Sequence, residues 1–209
     1  MGLSAVAPYP MPAETDVPPS AVAWSFDPAR AALVVLDMQR YSVGLFLGGS
    51  PVGDLLRNVA ALRRRAGELG IPVVFCVEAV ARHPGPGGPP GDLGGTGITD
   101  PAGAALVEDL QPRSGDHVVE HTRPNAFLGS RLERVLRTKD RDQILLCGLF
   151  AQLGVLLTAA DAVMHGIQTC VVADAVADVS ADGHGSALRW AARHGAAVAG
   201  SAQLLRAGH

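Results

Sequence analysis

The chain has 209 residues, 48% of them hydrophobic and 18% charged, which suits one domain with a substantial core. Its net charge of −3 gives no basic footprint for nucleic acid, and of 17 basic residues only Lys139 is a lysine. No run approaches the roughly 18 uninterrupted apolar residues of a membrane span, and Pro8, Pro10, Pro12, Pro18 and Pro19 stand where an export signal needs a charged and then an apolar region. A cytoplasmic protein that meets neither membrane nor nucleic acid is expected.

Residues 1–30 are proline-rich and polar, and read as an extended arm over the surface anchored by Trp24 and Phe26. From 31 to 209 a single domain is expected. Short apolar runs at 32–36, 72–77, 117–121, 143–147, 169–173 and 196–199 read as strands buried on both faces. Helical patterns lie between them. Ser50-Pro51 reads as an N-cap and first position, after which Val52, Leu55, Leu56, Val59, Leu62 and Leu69 fall on one stripe closed by Gly70. Ser130 to Glu133 reads as a capping box. Residues 151–165 form a nearly all-apolar helix, and 186–194 another that ends at Gly195.

Strands alternating with helices predict an α/β fold: a three-layer, Rossmann-like parallel sheet with helices on both faces. The Gly/Pro-rich stretch 83–97 is too long for a plain connection and reads as a lid or pocket wall. In open parallel sheets ligands bind beyond the carboxyl ends of the strands. Asp37 ends the first strand (VVLDMQR), His121 the third, and Gly148 follows the fourth, so three segments should converge on one edge.

Cys76, Cys147 and Cys170 each sit inside an apolar strand and read as core, with no metal spacing. The histidines show no HxxxH or HEXXH pattern, and Gly94 to Gly97 lacks the strand-to-helix setting of a nucleotide loop. No metal and no cofactor are expected. Asp174 and Asp178 read as caps of the following loop and helix.

The segments ALVVLDMQRYSV, VVEHTRPNAF and LLCGLFAQLGVLLTAADAVMHGIQTCVVADAVAD resemble the isochorismatase-like hydrolase superfamily, and within it the phenazine-type vinyl-ether hydrolases. The likeness spans nearly the whole chain. It implies an isochorismatase-like fold, a homodimer, and a site built on an aspartate, a lysine and a third position. That third position is cysteine in the amidohydrolases and glycine in the vinyl-ether hydrolases. Carried over, the catalytic positions are Asp37, His121 in place of the lysine, and Gly154. Without a thiol at Gly154, acyl-enzyme chemistry has no nucleophile there.

Gln39, Glu78, Arg82, Leu149, Phe150 and Gln152 are the positions expected to meet a small-molecule substrate, and the resemblance implies a non-proline cis peptide at Leu149–Phe150. Glu78 and Gly87 stand where the phenazine-type hydrolases have a substrate-binding glutamine and arginine. Unless Arg82 takes the arginine's role, the resemblance implies a pocket that, with His121 in place of the lysine, has two fewer cations and one more acid. His121 reads either as a lysine substitute or as a strand-end histidine without a role. The first functional expectation is hydrolysis, in secondary (antibiotic) metabolism, of the vinyl ether of an isochorismate or aminodeoxyisochorismate-type substrate to release pyruvate. The alternatives are isomerisation, elimination or cyclisation of another biosynthetic intermediate by the same acid/base set, and a non-catalytic dimeric scaffold.

Overall fold

The computed structural model describes residues 5–80 and 98–206. Six parallel strands form one sheet in the order β3-β2-β1-β4-β5-β6: β1 Ala31–Leu36, β2 Val73–Glu78, β3 His117–His121, β4 Gln143–Leu149, β5 Gln168–Ala177 and β6 Ala197–Ala199. Growth of the sheet reverses between β1 and β4, and the crevice at such a switch point is where open α/β sheets take ligands.

Alternate residues of each strand feed two cores. Leu33, Val35 and Phe75 pack on one face with Leu55, Val59 and Leu62 of α2 (Val52–Glu68), which follows the short α1 (Arg40–Val43). The strip Val52, Leu55, Val59, Leu62, Ala66 is buried because these positions share one helical face. Val34, Leu36, Ile144 and Leu146 pack on the other face. There they meet α4 (Leu132–Thr138), α5 (Leu156–Met164) and α6 (Ala181–Arg193). The short α3 (Pro101–Ala104) and α7 (Ser201–Arg206) complete the described helices.

Several local expectations are corrected. Ser50–Pro51 is a cis bond rather than a cap and first position. The Ser50 hydroxyl accepts the Met11 amide at 3.2 Å and so serves the arm. Ser130 Oγ accepts from Leu132 N rather than from the third residue on, and Glu133 turns outward to Arg137, so no capping box closes. The segment after β4 opens with a π-helical turn, Ala151–Val155, before α5 begins. The helix placed at 186–194 starts at Ala181, capped by Ser180, because that hydroxyl accepts the Gly183 amide at 3.1 Å. Asp174 caps α7 through Ser201 N at 2.7 Å, whereas Asp178 serves the turn after β4.

The arm is pinned more firmly than its composition implies. Trp24 and Phe26 pack half-buried against the core and stack on each other at 6.1 Å, and Val6 and Tyr9 are buried. Fully buried Gln143 holds its far end, accepting Asp27 N and donating to Ser25 O, each at 2.9 Å. The 83–97 stretch lies outside the described residues, apart from which no helix is long and apolar enough to cross a membrane.

Candidate active site

Gly148 explains how the ends of β1 and β4 come together. Its φ is +110°, and a Cβ there would stand 2.0 Å from the Leu36 carbonyl oxygen. Only glycine allows so close an approach, which brings the turn after β4 beside the end of β1.

Asp37 is the next residue after β1, with φ at +50°, a left-handed conformation that an aspartate tolerates better than most residues. Its amide donates to the Cys76 carbonyl at 2.9 Å, and the left-handed step turns the chain out of the sheet. The side chain then meets His121 at the end of β3, with Nε2 2.9 Å from Asp37 Oδ1. Both groups are buried, His121 at 2% exposure.

The other imidazole nitrogen fixes the proton count. His121 Nδ1 lies 2.7 Å from the Arg123 carbonyl oxygen, which can only accept, so Nδ1 carries a hydrogen. Nε2 therefore accepts from a protonated Asp37 or, in the imidazolium, donates to Oδ1, whether Asp37 is a carboxylate or carries its own proton on Oδ2. Burial pulls the imidazole pKa down, but the hydrogen bond and charge of Asp37, the Arg123 carbonyl and the charge of Glu78 outweigh it. The net shift is upward, which favours the imidazolium.

Gly154 stands on the opposite side of the carboxylate. A Cβ there would be 3.0 Å from the Leu149 carbonyl oxygen and 3.5 Å from Asp37 Oδ2. The missing side chain leaves space over Oδ2. Asp37, His121 and Gly154 thus converge although they come from three segments of the chain.

Glu78 ends β2 in register with His121. Burial first, and the charge of Asp37 second, raise its carboxyl above the usual range, against the lowering effect of His121 and the Ile98 amide. Gln39 is fully buried with its amide engaged: Oε1 accepts Glu78 N at 2.8 Å, and Nε2 donates to the Glu78 and Ala104 carbonyls at 2.9 Å. It ties α3 to the end of β2, a positioning part rather than an open contact for substrate.

Leu149 is fully buried, so it offers the site backbone only. Leu149–Phe150 is a cis peptide, and Phe150 forms a wall stacked on Phe46 at 6.1 Å. Gln152 points away from Asp37: its amide N–H meets Asp178 and its side chain donates to Ser186 Oγ at 2.9 Å. Arg82 and Gly87 lie outside the described residues.

Sequence reasoning missed the support behind the turn. Asp178 accepts the Gln152 amide at 2.5 Å and the Val179 amide at 2.7 Å, and its own backbone is bonded to the Tyr9 hydroxyl. A tyrosine in a proline-rich arm carries no periodic signal that could have revealed this. The three thiols lie buried within strands and are pushed up by burial, so none offers a thiolate. Among the described residues no group of three or more His, Cys, Asp or Glu side chains is placed to hold a metal ion.

A doubly wound parallel sheet with an acid–imidazole pair at the carboxyl ends of β1 and β3 defines an α/β protein with the makings of an acid/base site. The sequence profile of the Isochorismatase domain family matches residues 31–203, and the chain belongs to the isochorismatase family. The isochorismatase of Bacillus subtilis (strain 168) is 37% identical over 194 residues, covering 92% of this chain and 62% of that one. The chain thus spans less than two thirds of that relative's length. The phenazine biosynthesis protein PhzD of Pseudomonas fluorescens is 36% identical over 203 residues, 94% of this chain and 95% of its own. Among solved structures, a cysteine hydrolase from Pseudomonas syringae pv. phaseolicola 1448A superposes with a TM-score of 0.80 at 24% identity, over 90% of this chain and 96% of that one. That last likeness is one of fold.

Proposed function

We propose that the protein hydrolyses the enol-pyruvyl vinyl ether of isochorismate or aminodeoxyisochorismate, releasing pyruvate within secondary metabolism. The observation that carries this reading is the 2.9 Å Asp37–His121 contact with Gly154, rather than a thiol, facing the second carboxyl oxygen. An acid is presented and a nucleophile is missing.

In the productive state the imidazolium donates through Nε2 to Oδ1, and Oδ2 carries the proton that is delivered. Asp37 transfers it to the methylene carbon of the enol-pyruvyl group, leaving an oxocarbenium ion and a carboxylate already paired with the imidazolium. Water adds to the cationic carbon and gives up a proton to Asp37. The hemiketal then collapses to pyruvate and a ring alcohol. His121 does the charge-holding work of a lysine, with the difference that its charge depends on pH. Backbone N–H groups of the Leu149–Gly154 turn beside Asp37 would receive a substrate carboxylate or carbonyl.

A coupled pyruvate assay with both substrates tests this. Asp37→Asn should abolish release, and a fully active variant would sink the reading. A second reading has one observation in its favour: Glu78 adds a half-buried carboxyl beside the pair, a polarity suited to a less anionic substrate and to isomerisation, elimination or cyclisation. Turnover of isochorismate-type dicarboxylates at an ordinary enzymatic rate would dispose of it. We also propose that the chain works as a homodimer, a reading supported by exposed Leu128, Leu157 and Met164 on or beside α5.

A further inference from the structure

At the edge of the sheet opposite Asp37, a cavity of 420 Å³ opens between the C-terminal end of α2, the start of β2 and the loops leading into β3 and β4. Four cations line it, Arg63, Arg113, Lys139 and Arg141, against the one lining carboxylate of Asp116. This concentration stands out on a chain whose net charge is −3.

Part of that charge is already engaged. Arg63 pairs with Asp116 at 2.5 Å and lies 5.2 Å over the Phe75 ring. Arg141 donates to the carbonyls of Pro28 and Ala29. Both α2 and α4 end here, and each helix C-terminus presents about half a negative charge. With Asp116 these demands come to roughly two negative units against four cations. The surplus is concentrated at Arg113 and Lys139, exposed residues with no ion-pair partner among the described residues. Arg63, at 4% exposure and clamped between ring and carboxylate, fixes positive charge in the wall. In addition, Nε of Arg63 and Nε of Arg141 are buried donors with no hydrogen-bond partner, so part of the charge in this wall is not satisfied by the protein itself.

We propose that this cavity binds a small multivalent oxyanion, the phosphate group of a metabolite being the chemistry that its arginines fit. A guanidinium presents two parallel N–H groups to two oxygens, and an ammonium beside it adds a point charge. The site lies at the far edge of the sheet from Asp37 and is independent of the reaction catalysed there.

The test is a nitrogen–proton correlation NMR titration of the full chain with inorganic phosphate and with pyrophosphate, beside sodium chloride at matched ionic strength. Saturable shifts at the Gly67, Gly70, Ser114 and Gly115 amides, larger for the phosphates than for chloride, are expected. The double variant Arg113→Ala/Lys139→Ala, exposed at both positions, should keep its fold and weaken phosphate binding about tenfold. Shifts that chloride reproduces, or that persist unchanged in the folded double variant, would overturn the proposal.

Discussion

Tyr9 and Asp178, 169 residues apart, close a pair of hydrogen bonds: the phenol donates to the Asp178 carbonyl at 3.0 Å and accepts the Asp178 amide at 2.8 Å. The Asp178 carboxylate in turn holds the Gln152 amide, in the turn that faces Asp37. An N-terminal arm therefore braces the site from behind. Burial, the largest influence on the phenol, pushes its pKa up to about 12, so it stays protonated and able to donate. Tyr9→Phe keeps the ring but leaves two buried backbone groups unpaired. A loss of about 1–3 kcal/mol is expected in urea denaturation, with lower kcat from a loosened turn. An unchanged midpoint would mean that water replaces the hydroxyl without cost.

That brace marks the boundary of what the sequence made legible. The six strands and their parallel arrangement followed from apolar runs alternating with helical stripes, because burial leaves a periodic imprint, whereas the strand order came only with the structure. Asp37 was legible because an acid breaks a buried strand at its carboxyl end. Tyr9, Asp178 and the fully engaged Gln39 were not, because their roles depend on contacts between distant segments. The helix starts were misread because Ser50 and Ser130 have cap chemistry, yet a distant partner, Met11, claims the first hydroxyl and the Ala126 carbonyl, one turn back, the second.

The two buried histidines should give stability opposite pH dependences. His121 is raised in the fold, so its contribution is fully present below the unfolded value of about 6.5 and is lost as pH rises through the raised folded value. His184 is lowered, chiefly by burial, and its Nε2 donates to Ala173 O at 2.9 Å. Its contribution is complete above about 6.5 and is lost as pH falls towards the depressed folded value. Unfolding midpoints of wild type, His121→Gln and His184→Gln between about pH 5 and 8 should therefore diverge in opposite directions. Equal slopes would refute both assignments. Because His121 is hydrogen-bonded to Asp37, its curve reports the pair.

Glu78 tunes that pair from the neighbouring strand. Its charge is the smallest of the influences that raise His121, after the hydrogen bond and charge of Asp37 and the Arg123 carbonyl. Glu78→Gln should lower the His121 titration midpoint modestly, as followed by imidazole carbon–proton NMR, while leaving the Asp37 contact in place. If Glu78 only closes the loop base through Ile98, the midpoint will not move.

Gly154 is where the proposed chemistry and the packing can be separated. A methyl group at 154 would press on the Leu149 carbonyl at 3.0 Å, a contact that a few tenths of an ångström of movement relieves, so Gly154→Ala should fold with little loss of stability. The same methyl would sit 3.5 Å from Asp37 Oδ2, in the space through which the proton must pass to the substrate. Pyruvate release should therefore fall at least about tenfold in kcat/KM, about 1.4 kcal/mol of transition-state stabilisation, with an ordinary thermal midpoint. Gly154→Cys adds bulk and a thiol to the same space. It should lose vinyl-ether hydrolysis to a similar or greater degree, because acid delivery and nucleophilic attack compete for one side of Asp37. Retention of full pyruvate release by both variants would mean that the substrate approaches Asp37 from elsewhere, and the assignment of Oδ2 as the delivering oxygen would fall.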